Sequence, residues 1–236
     1  MFIEFLYYYS YILLIPGFIF ALWAQINVST TFNRCRKIPV CMTGAQAARQ
    51  ILDANGLRNV QILRVSGHLT DHYDPRENVI RLSDSVYDSA SAAAVGVAAH
   101  EAGHAVQYAQ GYGPIKLRSA IIPVCNIGSN MAMPLFIIGL LLSAVSSSGV
   151  GYGLMVGGIF AFSLAVVFQA VTLPVEFNAS RRAMQALTAS GQLDTEELQC
   201  SRRVLKAAAL TYVAALASSL LSLLRLVIIA SGGRRR

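Results

Sequence analysis

The chain has 236 residues, of which 55% are hydrophobic and only 13% are charged, and its mean hydropathy is +0.52. A soluble domain carries about 25% charged residues, so this composition excludes a disordered chain, a small disulfide-rich secreted module and most soluble enzymes. The net charge is +7, but the basic residues flank apolar runs and form no stripe with interleaved aromatics, which argues against nucleic acid as a partner. The composition predicts an integral membrane protein, with the lipid bilayer as its surroundings.

The first apolar run covers residues 5–24 and is long enough to cross a bilayer. Tyrosines near its start and Trp23 near its end fit the aromatic belts of a span. A signal peptide is the competing interpretation, but Glu4 stands where Lys or Arg is expected and no small-x-small cleavage site follows. We therefore predict a transmembrane helix in residues 1–24. The basic residues at 34, 36 and 37 then place its C-terminal end in the cytoplasm.

Residues 25–119 have the composition of a water-facing segment. Its predicted elements are, in chain order, a helix over 43–55, a strand over 60–65, a polar turn-rich connection over 67–75, a strand over 79–82 and an alanine-rich helix over 90–109. Thr43 is expected to cap the first helix, and Asp88 or Ser89 the second, which Gly111 ends.

Residues 120–173 form a predicted transmembrane hairpin, with spans over 120–145 and 152–173 and an uncharged connection. Lys116 and Arg118 precede the hairpin, and Arg181 and Arg182 follow it. The positive-inside rule therefore places both flanks in the cytoplasm and the turn outside.

Residues 174–206 are expected to return to water, where Asp194 and Glu197 form the capping box of another helix. The segment 207–236 contains an apolar stretch over 207–230 and ends in Arg234–Arg236. A fourth full span would put those arginines outside, against the positive-inside rule, so whether the last stretch crosses the bilayer stays open. The chain thus has about four predicted transmembrane helices.

The four cysteines lie at positions 35, 41, 125 and 200, without Cys-x-x-Cys spacing. Neither a thiolate zinc site nor a disulfide framework is indicated. We expect four unpaired thiols in a reducing compartment.

The segment that most clearly indicates a catalytic site is His-Glu-Ala-Gly-His at residues 100–104. On a helix, His100 and His104 lie one turn apart on one face, so their imidazoles can converge on one zinc ion. Glu101 projects to the side, where a carboxylate can take a proton from water and return it to a leaving amine. The alternative is a pair of polar helix residues facing solvent or the lipid headgroups.

A catalytic zinc site needs a third protein ligand, and no third His stands at a suitable spacing after His104. Among the carboxylates we favour Glu176, because the two intervening spans return it to the membrane face that carries His104. Its alternative role is a charge at the end of a span. Glu77 is typical of a turn, and Glu196 and Glu197 are typical of the first turn of a helix.

The His-Glu-Ala-Gly-His helix, the segment Glu-Phe-Asn-Ala-Ser-Arg-Arg-Ala at 176–183, the hairpin between them and the stretch Leu-Thr-Asp-His-Tyr-Asp-Pro at 69–75 together resemble the YugP-type membrane zinc metallopeptidases. The arrangement is more distantly similar to membrane gluzincins of the HtpX and CAAX-protease kind. The resemblance covers nearly the whole chain. It implies a mainly α membrane protein with a zincin-like α+β body, a small sheet, and one zinc ion.

The resemblance implies His100, His104 and Glu176 as zinc ligands and Glu101 as general base. Wider gluzincins commonly place an Asp four residues after the ligand Glu, where it orients a ligand His. This chain has Ser180 at that position, so Ser180 or Asn178 would have to take over the orienting role.

Several other residues are weaker candidates. His68 and His72 could bind a second metal or line the active-site rim, or they could be ordinary loop residues. The strand at 79–82 could be the edge that pairs with an extended peptide, as in zincins, or a plain sheet strand. Candidates for stabilising an oxyanion are Tyr212, Arg202 and Arg203.

The leading hypothesis is a zinc endopeptidase that cleaves a peptide or membrane-protein substrate at the cytoplasmic face of a bacterial-type plasma membrane. An intramembrane protease of the site-2 type is a competing enzyme class, but it needs a later Leu-Asp-Gly, whereas Leu193-Asp194 precedes Thr195. The non-enzymatic alternatives are a scaffold or holdase that keeps the zinc fold, and a metal carrier. The intact Glu101 argues against the first, and the lack of acidic residues and His inside the spans argues against the second.

Overall fold

The structure is a computed structural model that describes residues 9–146 and 149–233. By residue contacts the chain divides into two compact units. The first unit consists of Met1–Trp23, Leu117–Thr172 and Tyr212–Arg236, and the second of Ala24–Lys116 and Leu173–Thr211. Glu4, the first tyrosines, two serines of the hairpin turn and the tail Arg234–Arg236 lie outside the described residues.

Helices dominate the described part of the chain, and a short 3-10 helix, Ser10–Leu13, precedes them. The α-helices are α1 (Leu14–Cys35), α2 (Gly44–Ala54), α3 (Ala92–Ala109), α4 (Gly113–Val145), α5 (Val150–Ser190) and α6 (Thr195–Gly233). The strands are β1 (Gln61–Val65), β2 (His72–Asp74) and β3 (Val79–Ser83). The prediction of a mainly α membrane protein with a small sheet is confirmed.

Within residues 9–146 and 149–233, four helical segments are long and apolar enough to cross a membrane: Ser10–Cys35, Gly113–Val145, Val150–Ser190 and Thr195–Gly232. The helices extend well beyond the predicted spans, because residues 174–190 continue α5 and residues 195–206 begin α6. Pro174 lies inside α5 without ending it, and the helix stops only before Gly191, whose φ is +64°. Glycine adopts this left-handed conformation without steric cost.

Within the first unit, small residues bring α4 and α5 close together. A Cβ added to Gly139 would lie 2.6 Å from the carbonyl oxygen of Gly151, and one added to Gly158 would lie 2.7 Å from that of Ala132. Such contacts are typical of membrane helices, whose association depends on close packing and little on burial from water.

The sheet belongs to the second unit and has the strand order β1-β3-β2. β1 pairs with β3 in parallel, and β2 pairs with β3 antiparallel, so that Tyr73 lies opposite Ile80. Of the two interpretations of the strand at 79–82, the plain sheet strand holds and the substrate-pairing edge does not, because β3 lies between two partners. β2 was not predicted, since its three residues lie in a turn-rich segment.

The core of the second unit forms where α2 and α3 pack on the sheet, around Leu52, Ile80, Leu82 and the alanines of α3. Thr43 caps α2 as predicted, and its capping box with Gln46 is complete. The cap of α3 is Ser91, whose hydroxyl accepts a hydrogen bond from the backbone N–H of Ala94 at 3.3 Å. The prediction of Asp88 or Ser89 is thus off by two or three residues, because Ser89 bonds to Ser91 and not to the helix.

Two further sequence expectations concern the region around α6. The predicted capping box is present, since Asp194 and Glu197 exchange two hydrogen bonds of 2.8 Å. The expectation of four unpaired cysteines is wrong, because Cys35 and Cys200 form a buried disulfide while Cys41 and Cys125 are free. The paired cysteines are 165 residues apart in sequence, and no local spacing signals such a pair.

Candidate metal centre

The two histidines of the His-Glu-x-x-His segment lie on one face of α3, as their spacing predicts. The Nε2 atom of His100 is 3.2 Å from Oε2 of Glu176, and the Nε2 atom of His104 is 3.6 Å from the same oxygen. The imidazole planes are nearly perpendicular, at 84°. Three potential ligand atoms from α3 and α5 therefore face one point.

The three donors fit a zinc ion by chemistry and by spacing. Their ligand atoms all lie within 4.8 Å of one another, and no other such cluster occurs among the described residues. In a tetrahedral site with bonds of about 2.0–2.1 Å, neighbouring ligand atoms are about 3.4 Å apart, close to the two measured distances. Glu176 is only 2% exposed, and a carboxylate buried to that degree is found paired or on a metal.

Each imidazole has a hydrogen-bond partner on its other nitrogen. Oγ of Ser180 lies 3.1 Å from Nδ1 of His100. Oε1 of Gln107 lies 3.0 Å from Nδ1 of His104. Both Nε2 atoms are thus left to face Glu176, which is the arrangement that orients histidines around a metal.

The partners of Gln107 determine which way its amide points. Its Nε2 donates to the carbonyl of Val175 and to Oδ1 of Asn178, both at 2.9 Å. A backbone carbonyl only accepts hydrogen bonds, so the amide nitrogen must face Val175 and the amide oxygen must face His104. The Nδ1 of His104 consequently carries a proton, which leaves Nε2 as the nitrogen that would bind a metal.

The amide of Asn178 is held in turn by Arg182, which can only donate. Nε of Arg182 donates to Oδ1 of Asn178 at 2.7 Å, and Nη1 donates to Oε1 of Gln110 at 2.6 Å. A continuous network therefore leads from Arg182 through Asn178 and Gln107 to His104. Besides His104, Asn178 is the one member of this network that is a candidate by sequence alone.

Gln107 could have been found from the sequence by its spacing. It lies three residues after His104, so on a helix it shares the face of the two histidines. It is fully buried, and a buried amide must satisfy its hydrogen bonds within the protein.

Glu101 is also buried in α3, with 8% exposure, and none of the described residues forms a hydrogen bond with its carboxylate. Burial lowers the pKa of the neighbouring His104, but the hydrogen bond to Glu176 and the negative charges of Glu101 and Glu176 outweigh it and raise that pKa above its ordinary value. The negative charge of Glu101 thus acts on His104, yet no described residue forms a hydrogen bond with its carboxylate.

None of the remaining sequence candidates belongs to the group of three donors. His68 packs edge-on against Phe32, and His72 is exposed on β2, where its Nδ1 lies 2.8 Å from the carbonyl oxygen of Thr70. Arg202 and Arg203 are exposed on α6, and Tyr212 belongs to the first unit. Among the alternative glutamates, Glu77 pairs with Arg81, and Glu197 belongs to the capping box.

Comparison with known proteins gives one family and one relative. Residues 10–231 match the family described as "Putative neutral zinc metallopeptidase". The chain is 47% identical over 214 residues to a Bacillus subtilis (strain 168) protein named "Putative membrane protease YugP", and the alignment covers 90% of this chain and 92% of that protein. No solved structure matches the chain.

Proposed function

Because the chain belongs to the neutral zinc metallopeptidase family, we propose that it is a zinc endopeptidase of the gluzincin type, embedded in the membrane. The observation that carries this proposal is the convergence of two imidazole Nε2 atoms on one oxygen of Glu176. In a protein without a metal role, burying these three polar groups together would cost folding free energy without a return in packing.

We assign His100, His104 and Glu176 as the residues that would hold one zinc ion per chain. When bound, zinc would polarise the scissile carbonyl and make water acidic enough to be deprotonated near neutral pH. Gln107 and Ser180 would keep the two imidazoles in the orientation and tautomer that binding needs. These two residues therefore act through the histidines and do not touch the substrate.

Glu101 is the general base in this proposal. Its carboxylate accepts a proton from the water that attacks the scissile carbonyl, and it later returns the proton to the departing amine. Glu101 can do this because it is buried beside His104 and no described residue holds its carboxylate by a hydrogen bond. The net reaction adds one water across the peptide C–N bond.

An extended peptide could bind along the free edge of β2. β2 is the last strand of the sheet, and Tyr73 on it packs against Tyr108 of α3, with ring centroids 5.6 Å apart. A peptide that paired with this edge would gain backbone hydrogen bonds and would pass close to α3. His72, which is exposed on β2, would then lie at the rim of the site.

We infer that the metal centre faces the cytoplasm, because basic residues flank the hairpin on the side where Glu176 follows it. Such a site would suit membrane proteins, or peptides released from them, as substrates. The disulfide between Cys35 and Cys200 is an opposing observation, since cytosolic thiols are normally reduced. Both residues are almost fully buried, which limits the access of soluble reductants.

The test compares zinc content with proteolysis in detergent-purified protein. Wild type is expected to contain about one zinc per chain and to cleave an unstructured protein such as casein. Glu101→Gln should keep its zinc and lose cleavage by roughly 10³-fold or more, whereas His104→Ala and Glu176→Gln should lose both.

Three outcomes would decide against the assignment. Full activity in Glu101→Gln would remove Glu101 as the base. A wild-type protein that binds zinc but cleaves nothing in any variant would favour the scaffold or holdase alternative. Zinc retained in Glu176→Gln would place the third ligand elsewhere.

A further inference from the structure

A groove of about 510 Å³ lies between α5 and α6 in the second unit. We call it the α5–α6 groove and define it by Phe177, Arg181 and Met184 of α5 and Arg202, Lys206 and Leu210 of α6. Its volume falls in the range of small-molecule binding sites. The residues of each helix recur at intervals of three or four, so each helix contributes one continuous face.

Three cations line the groove, and no acidic residue does. Arg181, Arg202 and Lys206 are exposed, and within the described ranges none of them makes an ion pair or a hydrogen bond. Elsewhere in this unit, three arginines have acidic partners: Arg49 pairs with Asp53, Arg64 with Asp88, and Arg81 with Asp74 and Glu77. The groove therefore concentrates positive charge that the protein itself does not neutralise.

Apart from Ser180, whose hydroxyl lies 3.1 Å from Nδ1 of His100, the rest of the groove is apolar. Phe177 is 46% exposed, although large aromatic side chains are usually buried, and Met184 forms part of the floor. Exposed apolar surface next to unpaired cations indicates a ligand that is both anionic and apolar. A free inorganic anion would leave the apolar part uncovered.

The position of the groove along the chain narrows the choice of ligand. Both of its helices are candidate membrane spans. The apolar run of α5 ends at Leu173, four residues before Phe177, and that of α6 begins at Ala207, directly after Lys206. The groove residues thus occupy the stretches where two apolar runs end. Basic pockets between membrane helices at this level bind anionic lipid headgroups.

We propose that the α5–α6 groove binds an anionic phospholipid. The lipid phosphate lies among Arg181, Arg202 and Lys206, and the glycerol and upper acyl carbons cover Phe177 and Leu210. This site does not depend on the proposed protease activity. It places a bound lipid beside the segment of α5 that follows the candidate ligand Glu176.

The experiment is native mass spectrometry of the full chain in a neutral detergent. Dioleoylphosphatidylglycerol and dioleoylphosphatidylcholine are added separately, since they share acyl chains and differ in net charge. We expect phosphatidylglycerol to stay bound and phosphatidylcholine to dissociate. The triple variant R181Q/R202Q/K206Q is expected to lose affinity for phosphatidylglycerol about 100-fold, because each basic residue near an anionic headgroup contributes on the order of a fivefold factor.

The matched control removes the same charge from another basic cluster beside a span. Arg34, Arg36 and Lys37 lie at or just after the end of α1 and are exposed, and R34Q/R36Q/K37Q is expected to keep wild-type lipid affinity. An equal loss in both triple variants would overturn the proposal, because it would mean general attraction of span-flanking charges. The melting temperature and zinc content of each variant establish that the fold is intact.

Competition identifies the chemistry of the ligand. Excess inorganic phosphate should leave phosphatidylglycerol bound, since phosphate covers none of the apolar surface. Displacement by phosphate alone would reduce the groove to a simple anion site and overturn the lipid assignment. An alternating Asp–Leu peptide that displaced the lipid at lower concentration would assign the groove to acidic peptide and overturn it as well.

Discussion

Gly103 of α3 faces the backbone carbonyl of Ala179 on α5 so closely that a Cβ on Gly103 would lie 2.7 Å from that oxygen. Gly103 stands between Glu101 and His104, and Ala179 stands between Glu176 and Ser180. The missing side chain therefore sets how near the helix of the two histidines can come to the helix of the glutamate. The ligand distances of 3.2 and 3.6 Å depend on this approach.

We predict that Gly103→Ala lowers zinc affinity by about tenfold or more, although alanine is the better helix former by about 1 kcal/mol. The added Cβ meets backbone, which cannot rotate away, so α3 and α5 must separate by several tenths of an ångström. Zinc affinity measured by competition with a fluorescent chelator checks the prediction. The matched control is Gly113→Ala, where a Cβ meets nothing within 4 Å. Unchanged zinc affinity in Gly103→Ala would show that the contact does not position the ligands.

The second prediction concerns the buried amide of Gln107. Gln107→Ala removes the acceptor of His104 Nδ1 and the donor to Val175 and Asn178. Loss of such outer partners typically lowers metal affinity 10–100-fold, and we expect a reduction of that size in chelator competition. Gln185→Ala on the exposed side of α5 should bind zinc as wild type does.

A second variant tests which way the side-chain amide of Gln107 points. Gln107→Glu keeps an acceptor for His104 but places a second carboxylate oxygen against the oxygens of Val175 and Asn178. It should therefore melt below wild type at neutral pH, where the carboxylate is charged. A Gln107→Glu protein as stable as wild type would contradict the tautomer that we assign to His104.

How much of this site the sequence predicts depends on how far apart in sequence the interacting residues lie. His100, His104 and Gln107 lie within two turns of one helix, so helical spacing relates them, although only the histidines stood out by residue type. Glu176 was expected near them because two spans separate it from α3. Its contact with both Nε2 atoms depends on the fit of α3 against α5, which no local pattern encodes.

The errors arise where a neighbour distant in sequence decides the outcome. β3 was a candidate edge strand, and it is central because β2, a strand of three residues, pairs with it. Cys35 and Cys200 carry no spacing signal, and only the folded unit brings them together. Ser89 and Ser91 are equally good caps by residue type, and their mutual hydrogen bond leaves Ser91 to bond the helix.

The third prediction uses two aspartates near β2 whose pKa values shift in opposite directions. Burial raises the pKa of Asp71, and the hydrogen bonds from Ser83 offset this only in part. Such a group stabilises the fold below its ordinary pKa of 3.8, and that contribution is lost as pH rises through the raised value. Asp71→Asn can still accept from the backbone N–H of Ser83 and can donate to the Ser83 hydroxyl, without a buried charge. It should therefore melt at or above wild type at pH 7.

The pKa of Asp74 shifts in the opposite direction, so Asp74 serves as the internal control. The backbone N–H of Arg76 donates to its carboxylate at 2.8 Å and lowers its pKa. The stabilisation that Asp74 contributes is present above pH 3.8 and is lost as the pH falls through the lowered pKa. Asp74→Asn should therefore melt below wild type at pH 7. Melting curves of both variants are recorded with a chelator at pH 7 and at about pH 4. At the lower pH Asp71→Asn should approach wild type, whereas Asp74→Asn should still melt below it, because pH 4 lies above the lowered pKa of Asp74. A destabilised Asp71→Asn at pH 7 would show that its charge is needed.

The last prediction concerns the disulfide that joins the end of α1 to α6. Protein denatured in SDS with a thiol-blocking polyethylene glycol maleimide should take up two labels, at Cys41 and Cys125, and four after reduction. The double variant C41S/C125S should take up none before reduction and two afterwards. Because the bond closes a long stretch of chain, C35S/C200S should lose roughly 2–4 kcal/mol of stability. Four labels on unreduced protein taken directly from cells would contradict the bond and would agree with a reducing, cytoplasmic location for this unit.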